Sequence, residues 1–202
     1  MSSQEDHDTL QSDLTQLQDW SSKWQLRFNA TKCKVMHLGK KNPRKDYNMG
    51  DVNLEVVDEE KDLGVKVDNE LSFDSHIEGQ VNKANKLLGL IRRSFDNLEA
   101  ETFTILYKSL VRPILEYCNV VAHPQFERQR KLLEGVQRRA TRMVPQLRGL
   151  DYIQRLEKLK LPSLYYRRAR GDIIEAYKYL HGLYLILVHQ RLIRKATPGE
   201  IA

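Results

Sequence analysis

The stretch WSSKWQLRFNATKCKVMHLG, residues 20–39, contains a change of hydrophobic period that sets the order of the first structural elements. Up to Phe28, apolar side chains recur at spacings of three and four residues, which is typical of one helical face. The members of this stripe are Leu10, Leu14, Leu17, Trp20 or Ser21, Trp24 and Phe28. The stripe predicts a helix over about residues 5–28, with both tryptophans in the core. We expect Asn29 to end the helix, because asparagine tolerates the left-handed conformation. Residues 33–38 are then expected to form a strand.

Short strands separated by turn residues are predicted to follow, as far as residue 69. Residues 47–49 and 52–56 flank the pair Gly50-Asp51, and this spacing predicts a hairpin. Residues 63–67 predict a further strand, after which Asp68-Asn69 turns the chain. The first 73 residues are therefore expected to form one helix packed on a small antiparallel sheet.

From residue 74 onward the chain has the period of helices only. Helices are predicted at about residues 74–95, 98–119, 126–143, 152–159 and 162–180. Pro113 lies inside the second of them and should kink or break it. The predicted fold class is α+β, with a boundary near residue 73 between a mixed region and an all-helical one.

The two regions differ in charge. Residues 1–73 carry 10 Lys and Arg against 14 Asp and Glu, for −4, whereas residues 74–202 carry 23 against 13, for +10. A basic region of this kind favours a polyanionic partner, most simply nucleic acid. The alternative is a set of solvated helix faces in a basic protein.

Several function classes find no support in the sequence. Cys33 and Cys118 lie far apart and suggest neither a disulfide framework nor a zinc site, which favours a reducing compartment. No HExxH, GxSxG or glycine-rich phosphate loop is present. No signal peptide opens the chain, and the longest apolar run, residues 183–188, is too short to span a membrane. We expect an intracellular protein with no membrane partner. The basic patch at residues 40–45 leaves nuclear and cytoplasmic residence both open.

Seven stretches together resemble the reverse transcriptases of LINE (non-LTR) retrotransposons. Residues 20–39 resemble the helix and strand that follow the catalytic turn of the palm, and EEKDLGV at 59–65 is similar to the primer grip. LSFDSHI at 71–77 resembles the start of the thumb, and LYKSLVRPILEY at 106–117 its helix. LEGVQRRAT at 133–141 and the segments 152–161 and 165–172 complete the match. The resemblance covers about residues 4–182 in order.

The resemblance implies a division into three parts and the absence of catalysis. Residues 1–73 correspond to the end of the palm and 74–182 to the thumb and connection-like helices, while 183–202 form a divergent tail. The family holds Mg²⁺ on carboxylates that lie upstream of the residue 20–39 match. We therefore expect a truncated fragment with no catalytic residues, no metal site and no cofactor. Asp6 and Asp8 are expected to be partners of a helix dipole instead.

The candidate nucleic-acid contacts form four groups and are basic residues apart from Gly64. By resemblance, Lys61 and Gly64 belong to the primer grip, although a buried strand would have the same sequence. The helical groups are Lys83, Lys86, Arg92 and Arg93; Arg138, Arg139 and Arg142; and Arg167, Arg168 and Arg170. The last group lies beside Tyr165 and Tyr166, and basic residues with aromatic neighbours suit a single-stranded or hybrid partner. The alternative is that these arginines pair with Glu157, Asp172 or Glu175 around core tyrosines.

Three functional hypotheses follow from these observations. The first is binding of RNA or an RNA–DNA hybrid through the basic helices. The second is self-association, or the binding of a partner protein, through an exposed palm face. The third is a genomic relic without a selected function.

Overall fold

The order of elements follows the change of hydrophobic period along the chain. The computed structural model describes residues 4–184. They form one long helix and several short strands, followed by helices alone, so the predicted α+β class is confirmed. The chain divides into two compact units between His76 and Ile77. The predicted tail lies outside the described residues from position 185 onward.

Helix α1, Gln4–Lys23, is shorter than predicted because the chain turns left-handed at Gln25. The Leu26 N–H donates to the Ser21 carbonyl at 3.0 Å, the 6→1 bond of a Schellman helix end. The buried Ser21 hydroxyl donates in turn to the Leu26 carbonyl at 2.6 Å. The prediction that Asn29 ends the helix is therefore wrong, since Gln25 takes that role with a φ of 56°.

The predicted apolar stripe of α1 is only partly buried. Its first half packs on the core of the first unit, whose members in contact are Leu10, Leu14, Tyr47, Met49 and Leu54. Trp20 and Trp24 are 48% and 60% exposed, so the prediction that they are core residues is wrong. Trp24 and Phe28 leave the stripe because the helix stops before them, and this small core does not cover Trp20.

The strands pair in three separate ladders rather than in one antiparallel sheet. They are β1 (Lys34–Val35), β2 (Asn48–Met49), β3 (Val52–Asn53), β4 (Glu55–Val56), β5 (Glu59–Asp62) and β6 (Val65–Asp68). The pairs β2–β3 and β5–β6 are antiparallel, whereas β1 and β4 are parallel. The prediction of a single antiparallel sheet is corrected accordingly.

Tight turns close the two hairpins. Gly50, with a φ of 60°, turns β2 into β3, which confirms the predicted hairpin. Leu63 and Gly64 turn β5 into β6 with φ values of 45° and 86°, the signs required by a type I′ turn. The predicted strand over residues 63–67 is thus corrected, because its first two residues form the turn.

The loop from β6 to the next helix is organised by one side chain. The Asp68 carboxylate accepts hydrogen bonds from the backbone N–H groups of Glu70, Ser72 and Phe73, at 2.7 to 3.1 Å. It also accepts one from the Ser72 hydroxyl. Leu71 and Phe73 both have positive φ in this loop, so the carboxylate stabilises a conformation that such residues rarely adopt.

The helices after the boundary follow the sequence periodicity closely. They are α2 (Asp74–Ser94), α3 (Ala100–Leu106), α4 (Arg112–Glu116), α5 (Glu127–Thr141), α6 (Tyr152–Leu159) and α7 (Leu164–Leu180). In the second unit α5 packs against α6 and α7, and α6 also packs against α3. Fully buried side chains of this core include Phe103, Val111, Leu133, Val136 and Leu164. Among the helices that the structure describes, none has the length and apolar character needed to cross a membrane.

Pro113 interrupts the long helix predicted at 98–119, as expected. A π-helical turn, Tyr107–Val111, separates α3 from α4, and the Arg112 N–H donates to the Tyr107 carbonyl. Proline has no N–H and would clash with the carbonyl four residues before it in a regular helix. The wider π turn removes that clash and lets the helix continue to Glu116.

Candidate functional site

A groove lined by arginines lies in the second unit. Its walls come from the C-terminal half of α2, the C-terminal end of α5 and the segment after α5, and its volume is about 740 Å³. Arg92, Arg139, Arg142 and Arg148 line it together with one carboxylate, that of Asp96. We call these four arginines and the space between them the arginine groove.

The α2 wall is formed by residues that share one helical face. Asn85, Gly89 and Arg92 recur at spacings of four and three, so they lie above one another on this face, and Gly89 leaves space between the other two side chains. Asn85 accepts a hydrogen bond through its Oδ1 atom from the Nη2 atom of Arg139, at 2.9 Å. This bond holds the Arg139 guanidinium across the groove and orients its remaining donors.

The other predicted cations of α2 are exposed on neighbouring faces. Lys83, Lys86 and Arg93 do not line the groove. At 100° per residue, Arg93 and Lys86 lie about 100° and about 120° from Arg92 around the helix, whereas Lys83 lies on the opposite side. Lys86 and Arg93 can therefore extend the cationic surface beside the groove, and Lys83 faces away from it.

The predicted row of three arginines on α5 is divided between two surfaces. Arg139 and Arg142 line the groove. Arg138 instead stacks over the ring of Tyr152, with its guanidinium carbon 4.5 Å from the ring centre. It lines a separate hollow with Glu134 and Tyr165. One residue of helical rotation is enough to cause this division.

Apolar side chains form the rest of the groove. Leu88 and Leu98 are buried beneath it, and Phe95 is half exposed at its edge, just after α2 ends. A surface with arginines around an exposed aromatic ring offers both phosphate contacts and a face on which a base can stack.

Arg148 belongs to the groove although the sequence did not single it out. It follows the 3₁₀ turn Pro145–Leu147, where no helical period relates it to Arg139 and Arg142. Its position within a basic stretch that begins at Arg138 was the only sequence signal that could have identified it.

The third predicted helical group, Arg167, Arg168 and Arg170, does not line the arginine groove. Arg167 forms a two-point ion pair with Glu116, one bond measuring 3.0 Å, and this bonding raises the pKa of Arg167. Arg168 is buried and Arg170 is exposed. Tyr165 and Tyr166 are exposed rather than core residues. The three arginines therefore do not form one phosphate-tracking row, and the predicted alternative of pairing with Glu157, Asp172 or Glu175 does not hold for Arg167.

The predicted primer-grip residues lie on the β5–β6 hairpin of the first unit. Lys61 is exposed on β5, and Gly64 is exposed in the turn. Leu63 beside it is 85% exposed in a left-handed conformation that non-glycine residues rarely adopt. The hairpin tip thus presents an exposed apolar side chain on a strained backbone. A binding contact at the tip would explain this combination.

Within residues 4–184, no three His, Cys, Asp or Glu side chains are grouped to hold a metal ion. Asp6 and Asp8 both lie in the early part of α1, where Asp8 accepts a hydrogen bond from the Gln4 side chain at 2.9 Å.

No protein-family model matches this chain, and neither a curated protein nor a solved structure shows significant similarity to it. The charges and shape of the arginine groove are thus the main physical basis for assigning a function.

Proposed function

We propose that this chain binds RNA or an RNA–DNA hybrid through the arginine groove, as a thumb-like part of a LINE-type reverse transcriptase. The observation that carries the proposal is the convergence of four arginines on one groove with a single carboxylate. The ordered motif resemblance, from the residue 20–39 stretch to the segment 165–172, supports the same proposal. It is a proposal of binding alone, without polymerisation by this chain.

The groove has the chemistry that a phosphate backbone requires. Guanidinium groups donate two parallel hydrogen bonds to phosphate oxygens, and they lose little hydration in doing so. Arg139 is already oriented by Asn85, which reduces the side-chain entropy lost on binding. Asp96 is the one acidic side chain on the groove wall, so most of the cationic charge is available to a polyanion.

The experiment is a fluorescence-anisotropy titration of a labelled RNA–DNA hybrid at several salt concentrations. The test variant is Arg139→Gln with Arg142→Gln. The matched control is Arg128→Gln with Lys131→Gln, which removes the same charge from the same helix outside the groove. Each lost phosphate contact should reduce the slope of log affinity against log salt by about 0.7 to 0.9.

We expect the groove variant to bind more weakly than the control at every salt concentration, and to have the smaller slope. Binding of the unmodified chain that does not change with salt would overturn the proposal. So would equal losses in the groove variant and the control, because the affinity would then depend on net charge rather than on the groove.

A second candidate function is self-association through the end of α1. Large apolar side chains are exposed together in this part of the first unit, namely Leu17, Trp20, Trp24, Leu26 and Phe28. We call these five residues the α1 apolar patch. A cluster of exposed apolar side chains marks a protein contact more often than an isolated exposed residue does. Sedimentation velocity at rising protein concentration tests this candidate.

A further inference from the structure

A second pocket in the same unit is lined by a buried guanidinium whose two terminal nitrogens have no hydrogen-bond partner among the described residues. The pocket lies between the turn after α4 and one face of α7, and its volume is about 690 Å³. That volume falls within the range of small-molecule sites, about 300 to 1,000 Å³. Its walls include Asn119, Tyr166, Arg168, Arg170 and Ile174. No residue lines both this pocket and the arginine groove.

Arg168 is the unusual member of this pocket. It is 3% exposed, and neither its Nη1 nor its Nη2 atom has a hydrogen-bond partner among the described residues. Burial lowers the pKa of Arg168. A guanidinium without water or an acceptor is strongly unfavourable, so a chain that retains one needs an acceptor from elsewhere.

The carboxylates nearest to Arg168 are already engaged by other donors. Glu116 receives the two-point pair from Arg167. Glu134 accepts from the Tyr152 hydroxyl and from the Tyr165 N–H. Asp172 accepts from Asn119 at 2.7 Å, and its other oxygen lies 2.8 Å from the Nδ1 atom of His123. Their charges raise the pKa of Arg168 and so offset part of the cost of its burial, but none of them is hydrogen-bonded to the two terminal nitrogens of Arg168.

The remaining acidic residue of the pocket wall is also engaged. Glu175 pairs with Lys178 at 2.8 Å and accepts from the Tyr184 hydroxyl. Arg170, two residues after Arg168, also lines the pocket and forms no ion pair with a described residue. The lining of the pocket thus includes two guanidinium groups that form no hydrogen-bonded ion pair with a described residue, one buried and one exposed, beside the engaged carboxylates of Glu116 and Glu175.

Other parts of the pocket wall are apolar, and this limits the kind of ligand that fits. The ring of Tyr166 is 59% exposed and lines the pocket, and Ile174 and Val120 add aliphatic surface. Flat apolar groups stack on such a ring, whereas a bare inorganic ion would leave it in contact with water. The ligand that fits both features has an oxyanion at one end and an apolar, preferably flat, body.

We propose that this pocket binds a small organic oxyanion, whose phosphate or carboxylate oxygens accept from Arg168 and Arg170 while its body lies against Tyr166. Carboxylates and phosphates each offer two oxygens that match the fork of a guanidinium. The proposal is independent of nucleic-acid binding in the groove, since the two sites share no residue.

Isothermal titration calorimetry on the full chain tests the proposal with four probes. Adenosine 5′-monophosphate and phenylacetate carry the two oxyanions on flat bodies. Adenosine lacks the oxyanion, and inorganic phosphate lacks the body. We expect saturable binding of at least one of the first two, at least tenfold tighter than adenosine or inorganic phosphate. The preferred probe decides between a phosphate and a carboxylate ligand.

Arg168→Met and Arg170→Met are the test variants, and Arg128→Met is the matched control outside the pocket. Arg168→Met should abolish binding and leave the melting temperature without ligand unchanged or higher, because it removes a buried charge that lacks a partner. Arg170→Met should weaken binding about tenfold. Arg170 is exposed, so Arg170→Met should fold. Its affinity for the probes therefore tests the proposal if Arg168→Met does not fold.

The proposal is overturned if no oxyanion probe saturates the unmodified chain. It is equally overturned if the Arg170 variant binds like the Arg128 control, since the rim guanidinium would then have no role. A lower ligand-free melting temperature for Arg168→Met, with unchanged binding, would show a purely structural arginine served by water.

Discussion

Asp68 shows how one side chain can hold an unfavourable backbone conformation. Burial alone would raise the pKa of its carboxyl, but the hydrogen bonds from Ser72, Phe73 and Glu70 outweigh burial and lower the pKa. The loop places Leu71 and Phe73 at positive φ, and each such residue costs free energy that the carboxylate must offset.

The Asp68 contribution to stability should be sensitive to acid. Because its pKa is lower in the folded than in the unfolded chain, the contribution is complete above the unfolded value, about 3.9. It is lost as the pH falls through the folded value. We expect Asp68→Asn to reduce the free energy of unfolding by about 1 to 3 kcal/mol at pH 7, and by less at pH 3. Urea unfolding at the two pH values measures this difference.

Asp62→Asn is the matched control for Asp68→Asn, because Asp62 is exposed on β5 and lies outside the loop. It should leave stability within about 0.5 kcal/mol of the unmodified chain. If both variants had the same pH dependence, the loop carboxylate would not be the cause.

At the scale of elements, the end of α1 depends on a residue poorly suited to its conformation. Gln25 occupies the left-handed position of the Schellman end with a φ of 56°, where glycine carries no steric cost. Gln25→Gly should therefore raise the free energy of unfolding by about 1 kcal/mol. Gln16→Gly, the same change inside α1, should lower it by about 1 kcal/mol. Thermal and urea unfolding measure both, and equal signs for the two variants would contradict the prediction.

The sequence predicted helices well because their signal is periodic over many residues. Val81, Ala84, Leu88 and Ile91 of α2 recur at spacings of three and four and are buried, whereas Leu87 on the same apolar face is only partly buried. The end of α1 was missed because glutamine gives no sign of a left-handed position. The β5–β6 turn was missed because Leu63 continues the apolar alternation of Val65 and Val67, so only Gly64 indicated a turn.

The arginine groove could be predicted only in part, because its formation depends on how the helices pack together. Arg92, Arg139 and Arg142 were recognisable as cations on helices, but their convergence depends on how α2 and α5 lie together. Arg138 is adjacent to Arg139 in sequence and faces Tyr152 instead. The Arg168 pocket could not be predicted, because burial without a partner is a property of the packed unit alone.

At the scale of the whole molecule, the two regions of opposite net charge should bind two types of partner. Salt should affect these two kinds of binding in opposite ways. Residues 74–202 carry a net charge of +10, and their contacts with a polyanion should weaken as salt rises, because the release of counterions into a more concentrated solution gains less entropy. The α1 apolar patch lies in the region with a net charge of −4. Association through apolar surface is not weakened by salt and is strengthened by sulfate.

We therefore expect the chain to self-associate, and to do so more strongly in ammonium sulfate than in dilute buffer. Sedimentation velocity should show a sedimentation coefficient that rises with protein concentration. Trp24→Lys places a charge at the most exposed aromatic side chain of the α1 apolar patch and should shift association to at least tenfold higher concentration. Ile105→Lys adds the same charge at an exposed apolar position of α3 and should leave association unchanged. A chain that stays monomeric at every concentration, or an equal effect of the two variants, would remove the patch as the contact surface.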